Sequence, residues 1–387
     1  MKFYHILFII ATCCLFSSCF KEEPLNAECD IIKASIPDQQ LKGMFFNPTD
    51  RDIDVLSSDN TICFNVRQKA NLTAIAPQFQ LTEGATINPV NGSTHNFSKG
   101  AVIYTVTSQN GEWKRKYSVN FIPTLQTIKD TIPYDFEQYK LEPNDKKCYI
   151  WYEKSEDGNE TNNWATGNIA FSFGAGDLPA NQYPTAPVSK GGYHGSYVKL
   201  TTCSTGELGR MFGKPMAAGN IFIGSFDAAN SLINPLEATH FGIKFDKKPT
   251  KLTGWYKYKP GKDFQDQSCK ILKGKSDCAA IYAVFYRNTI IGKDGKRNSF
   301  FLDGTNVLTS PNIVAIAQVK DIKPTSQWTF FEIEFTYTKE IDNKLLANRG
   351  YNLAIIFSSS KDGAKFEGAI GSELCIDDVK LICTHQE

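Results

Sequence analysis

Aromatic rings set among amides, carboxylates and a guanidinium are the side chains of this chain best equipped for chemistry, and sugar recognition is one chemistry they suit. A pyranose ring offers apolar C–H faces that stack on Trp and Tyr, and hydroxyls that pair with planar groups such as Asn, Asp, Glu and Arg. Rings are supplied by Trp151-Tyr152, Trp164, Trp255-Tyr256-Lys257-Tyr258, Tyr282 and Tyr286, and polar groups by Asn163, Asn168, Arg210, Asn220, Asp227 and Glu367. Successive side chains of a strand point to opposite faces, so Tyr256 and Tyr258 share one side and Trp255 takes the other; one of these sets must be core. Trp164 stands in a polar, loop-like stretch, Thr161 to Asn168, where burial alone explains a Trp poorly. The expected ligand-binding set is Trp164, Asn168, Arg210, Asn220, Trp255, Tyr256, Tyr258 and Glu367.

Cleaving a glycosidic bond would need two carboxylates at a fixed separation across a cleft. Glu367 with Asp227, Glu207 or Glu153 are the candidate pairs, but sequence fixes no distance between them, and the catalytic residues stay unassigned. A Ser-His-Asp triad finds little support, since His194 and His240 sit in unrelated segments and no nucleophile elbow is present. Gly206, Gly209 and Gly213 lack a phosphate-loop pattern and its βα context.

The elements that must position these residues are strands. Phe (27) and Tyr (16) are abundant and Met (4) is scarce, a balance that favours β structure over helix bundles. From residue 28 to 123, strand-sized runs alternate with turns. Thr61–Val66, Leu72–Pro77 and Ala85–Pro89 are three of these runs. Asn110-Gly111 lies between Val102–Thr107 and a run from Trp113 to Phe121, and predicts a hairpin with a tight primed turn. Trp113 is expected to pack. This spacing predicts an immunoglobulin-like β-sandwich, followed by a linker at 124–133. Residues 134–387 contain further strand runs and no convincing amphipathic helix, which predicts a larger sandwich, here a jelly roll. The expected fold class is thus all-β throughout.

With 42 basic against 41 acidic side chains, the chain lacks the basic surface that a nucleic-acid partner requires. Lys2 and the apolar run Phe3–Phe16 have the form of a signal peptide, too short to span a membrane comfortably. Ser17 and Ser18 before Cys19 resemble a bacterial lipobox, although Phe16 stands where Leu is usual. The expectation is a signal at 1–18, a lipidated Cys19 and a short linker to residue 27; an ordinary signal peptide cleaved nearby is the alternative. Lys21-Glu22-Glu23 resembles the acidic export tag of Bacteroidetes lipoproteins and implies the outer face of the outer membrane. Eight cysteines follow Cys19; with no CxxC pair and few His they do not suggest zinc, and most are expected to be small buried hydrophobes. Cys269 and Cys278 flank one loop and could close it.

The C-terminal region resembles the putative carbohydrate metabolism domain family of Bacteroidetes lipoproteins. The resemblance is carried by Asn163–Asn168, Ala218–Phe226, Leu252–Gly261, Asp303-Gly304, Thr309–Ala315 and Tyr351–Ala369, within Asp135–Cys383. It implies an immunoglobulin-like domain followed by a jelly roll with a glycan pocket, and no established reaction. The region also looks like galactose-binding and concanavalin-like jelly rolls. In the galactose-binding type an early Phe-Glu and a late Ile-Asp-Asp-Val often bind structural calcium. Phe136-Glu137 and Ile376-Asp377-Asp378-Val379 match that pattern, making Glu137 and Asp377 the candidate metal ligands; exposed edge acids are the alternative.

Three functions fit these readings: a surface lipoprotein that binds or handles an oligo- or polysaccharide, a glycoside hydrolase, and a structural adhesin or assembly subunit.

Overall fold

The computed structural model describes residues 24–37, 43–154, 157–175, 178–292 and 295–386. Cys19, the run expected as a signal peptide and Lys21-Glu22-Glu23 lie outside them. The chain is all-β and divides into two compact units, one ending at Gln126 and one spanning Thr127–His385. No helix among the described residues is long and apolar enough to cross a membrane.

The first unit is a pair of sheets around one core. A three-stranded antiparallel sheet is ordered Asp52–Asp54, Ile31–Ser35, Gln78–Leu81. A four-stranded sheet is ordered Thr61–Arg67, Lys114–Thr124, Val102–Thr107, Thr86–Asn88, its first pair parallel. Strict alternation in Thr61–Arg67 sends Ile62, Phe64 and Val66 inward, each contributing about 1.5–3 kcal/mol by leaving water. The expected hairpin forms, but its turn is not the tight primed one. Ser108 N–H donates to the Trp113 carbonyl, so four residues separate the last paired positions, and Trp113 is exposed rather than packed.

The second unit is a sandwich of two larger sheets. The six-stranded sheet is ordered Thr185–Val188, Tyr197–Thr201, Glu373–Gln386, Lys248–Lys259, Thr325–Glu334, with Thr127–Tyr134 also paired to Glu373–Gln386. Most of the stretch expected as a linker is therefore strand. The eight-stranded sheet is ordered Trp164-Ala165, Asn220–Phe226, Tyr351–Ser358, Ala280–Arg287, Ile313–Gln318, Thr336-Tyr337, with two short strands beside it. Leu200, Leu252, Ile376 and Leu381 from one sheet meet Ile221, Phe285, Ile355 and Phe357 from the other in a single core.

A bulge keeps the C-terminal strand facing that core. Thr253 pairs with Lys380 and Trp255 with Asp377, so Asp378 and Val379 together oppose Gly254. Asp378 takes a φ of 44°. The extra residue restores the inward phase, so Leu374, Ile376, Val379, Leu381 and Cys383 all reach the core. The cysteines from Cys29 onward are all free, with Cys148, Cys375 and Cys383 buried and Cys269 exposed.

Candidate functional site

The eight-stranded sheet has two apolar faces. Along Ala280–Arg287, Ile281, Ala283 and Phe285 enter the inter-sheet core, while Tyr282, Val284 and Tyr286 form a second cluster on the opposite face. The neighbouring strands do the same: Ile223 and Phe357 point inward, and Phe222 and Ile356 point outward. Unbroken apolar runs such as Ala280–Tyr286 are the sequence signature of a strand covered on both sides.

A cavity of about 270 Å³ opens over this outer face. Phe222, Tyr282 and Ile356 line it from the sheet. The surrounding walls include Phe171 of helix Asn168–Ala175, Met216, Leu236 with Phe241, and the turn Gly363–Phe366. Tyr282 is 8% exposed, burial holds its phenol above the ordinary range, and its hydroxyl has no hydrogen-bond partner among the described residues. Among the described residues no Asp, Glu or His lines the cavity, and the charged residues that do are Lys214 and Lys361.

Beside Tyr282, two residues of the expected ligand-binding set line this cavity, and both use their amides on backbone. Fully buried Asn168 donates from Nδ2 to the Thr185 carbonyl (2.8 Å) and accepts from Thr185 N–H (3.1 Å). Asn220 Oδ1 accepts from Gly167 N–H at 2.9 Å. Together they fasten the start of the helix to adjoining strands.

The other expected residues lie elsewhere. Trp164, expected as a ligand platform, is a core residue, 5% exposed, edge-on to Tyr134 at 5.3 Å, with its Nε1 donating to Glu153 Oε1 at 2.7 Å. A buried carboxylate supplies the acceptor that makes this burial tolerable. Tyr256 and Tyr258 are also core. Trp255 lies on the outer face of the six-stranded sheet, stacked on Tyr193 at 3.8 Å and beside Phe330 at 5.2 Å. Arg210 is exposed and pairs with Glu207 one turn away at 3.2 Å. Glu367 follows the cavity residue Phe366 but pairs with Lys275 at 3.5 Å. Asp227 accepts from Asn230 N–H at 3.0 Å at the start of a short helical turn. None of the candidate acid pairs faces the cavity.

Glu137 and Asp377 converge on the loop Gly191–Ser196. Glu137 Oε1 accepts from Ser196 N–H at 2.8 Å, and Asp377 Oδ2 from His194 N–H at 2.9 Å. Asp377 Oδ1 accepts from its neighbour Asp378 N–H at 2.7 Å. Side chains at two loop positions would collide with the acids. A Cβ on Gly192 would stand 2.7 Å from Asp377 Oδ2, 2.8 Å from the Gly195 carbonyl oxygen and 2.9 Å from that of Ser196; one on Gly195 would strike Glu137 Oε1. Asp377 is fully buried, and burial, reinforced by the charge of Glu137, pushes its carboxyl up to about 6 despite the backbone donors. Among the described residues no three His, Cys, Asp or Glu side chains cluster to hold a metal. The oxygens gathered here, two carboxylates and two carbonyls, are nevertheless the hard donors that calcium takes.

The family model described as putative carbohydrate metabolism domain matches residues 135–382, and the model described as SGBP, N-terminal, matches residues 44–121. Among solved structures, one described as a putative glycoside hydrolase from Bacteroides thetaiotaomicron is 39% identical, covering 93% of this chain and 98% of its own, with a TM-score of 0.59. Another so described, from Bacteroides vulgatus, is 39% identical over 65% of this chain and 97% of its own, with a TM-score of 0.58. No curated protein matches the chain.

Proposed function

The chain belongs to the putative carbohydrate metabolism domain family, and on that premise we propose that it is a surface lipoprotein that binds extracellular glycans in the cavity on the outer face of the eight-stranded sheet. The observation that carries this reading is the Tyr282 hydroxyl. The ring of Tyr282 is nearly buried while its oxygen opens on the cavity, and with no hydrogen-bond partner among the described residues it is free to bond a ligand hydroxyl. Its ring, with Phe222 and Phe241, gives the apolar surface on which a sugar face stacks. The match of residues 44–121 to the SGBP N-terminal model supports a place at the cell surface, where Cys19 would carry the anchoring lipid.

Hydrolysis is the second reading, favoured by the two structural neighbours described as putative glycoside hydrolases. It needs two opposed carboxylates, and the carboxylates considered from sequence lie away from the cavity. Binding without cleavage is therefore the better-supported activity.

Glu137 and Asp377 would hold a structural calcium ion beside the carbonyls of Gly195 and Ser196, tying the 191–196 loop to the C-terminal strand. The ion would neutralise two neighbouring carboxylates, one of them fully buried.

A glycan array with the wild type and Ala364→Trp tests the site. Ala364 is exposed and lines the cavity, so a Trp there would obstruct it with little strain on the fold. Binding by the wild type that Ala364→Trp abolishes is the expected result. Equal binding by both proteins, or by neither, overturns the assignment. Reducing-sugar release from a bound glycan would instead establish hydrolysis.

A further inference from the structure

We infer that the glycan this cavity takes is acidic, carrying a carboxylate or sulfate on the sugar that enters it; the inference rests on the cavity being the glycan site. Among the described residues, Lys214 and Lys361 are the charged side chains lining the cavity, and no acid lines it with them.

Neither lysine has an acidic ion-pair partner among the described residues. Lys361 is exposed and has no ion-pair partner among the described residues. The nearby acids on its chain segment are already engaged: Asp362 with Lys365 at 3.5 Å and Lys275 at 3.9 Å, and Glu367 with Lys275 at 3.5 Å. Asp277, behind the cavity wall, accepts from Ser360 Oγ at 2.5 Å, Ser372 Oγ at 2.7 Å and Ala369 N–H at 2.8 Å. Lys214 reaches the carbonyls of Ser231 (3.4 Å) and Leu232 (3.2 Å), contacts that leave it a net positive charge and a third ammonium proton.

The hydroxyls of the cavity point the same way. Thr185 donates to the Asn220 carbonyl, Ser231 to Ala228, Ser358 to Ser360, Thr205 to Lys214 and Ser360 to Asp277. With their protons engaged, they can meet a ligand only as acceptors, which suits sugar hydroxyls acting as donors. Among the side chains that line the cavity, an acceptor group on the ligand finds donors at Tyr282, Lys214, Lys361 and the second amide proton of Asn220. Two ammonium groups beside mostly apolar walls favour a full negative charge over a neutral hydroxyl, because the charge-assisted bond is the stronger.

The test is a titration of the full chain, by calorimetry at low and moderate salt, with three probes: an oligogalacturonate, a chondroitin sulfate oligosaccharide and a neutral gluco-oligosaccharide. Lys361→Gln is the main variant, since Lys361 has no structural partner to lose, and Ala364→Trp reports whether binding is in the cavity. The expected result is that one anionic probe binds about tenfold or more tighter than the neutral one. Binding should weaken with salt, weaken about tenfold in Lys361→Gln and disappear in Ala364→Trp. Which of the two anionic probes binds identifies carboxylate or sulfate. Neutral binding as tight as anionic, blocked by Ala364→Trp and indifferent to Lys361→Gln, overturns the acidic preference and leaves the cavity as the glycan site. Binding of any probe that survives Ala364→Trp, or of none, overturns both.

Discussion

Trp164 Nε1 donates a 2.7 Å hydrogen bond to Glu153 Oε1 between the sheets of the second unit. The bond lets a polar, loop-like segment deliver an indole into the core, where Tyr134, Phe136 and Phe357 surround it. Burial raises the Glu153 carboxyl, and the indole donor offsets part of that rise. Trp164→Ala should cost about 3–5 kcal/mol, read as a lower denaturant midpoint. Trp164→Phe should cost less in volume but leave Glu153 without this donor, about 1–3 kcal/mol. A ligand platform would give the opposite pattern: lost binding with unchanged stability.

Tyr282→Phe should leave stability unchanged or slightly higher, because the hydroxyl has no protein partner to lose. Glycan affinity should fall about two- to tenfold, the worth of one neutral hydrogen bond. Paired thermal melts and titrations separate the two effects; a large loss of stability would place the hydroxyl in the protein's own network instead.

Asp377 gives a pH dependence of defined sign. Its folded carboxyl titrates at about 6 against an ordinary value of 3.8. The folded state therefore holds this proton more firmly than the unfolded chain. The stability it contributes is present below about pH 4 and is lost as pH rises through 6, by up to about 3 kcal/mol. In chelator, melting temperature should fall between pH 4.5 and 7 more steeply for the wild type than for Asp377→Asn. Calcium should flatten the wild-type slope, since a bound cation stabilises the ionised form. Parallel slopes for the two proteins would count against Asp377 as the source.

Gly195→Ala should be strongly destabilising. Its φ of 64° disfavours a side chain, and a Cβ would strike Glu137 Oε1. The expected cost is about 2 kcal/mol or more, together with loss of any rise in melting temperature on adding calcium. A calcium response that survives in Gly195→Ala and in Glu137→Gln would place the ion elsewhere.

The strands were legible because their signal is local. Tyr197–Thr201, Ala280–Tyr286, Leu353–Ser358 and Leu374–Leu381 are apolar, β-branched and aromatic runs, and each is a strand. The strand within residues 124–133 was hidden because alternate exposed positions, Thr127, Lys129 and Thr131, read as a polar connector. Glu137 and Asp377 could be paired from sequence, but not the glycine loop they grip, which lies between them in the chain.

The sequence by itself determined the all-β class and the family, since propensity, alternation and motif are carried by neighbouring residues. Only the tertiary structure decided the site. Which face of a strand is core depends on what covers it, so Tyr256, Tyr258 and Trp164 went to packing while Tyr282 lines the cavity on the other face of its sheet. The cavity walls come from segments between Gly167 and Phe366 that no local pattern links. The charge there is a property of side chains brought together by folding, and nothing in the near-neutral total announces it.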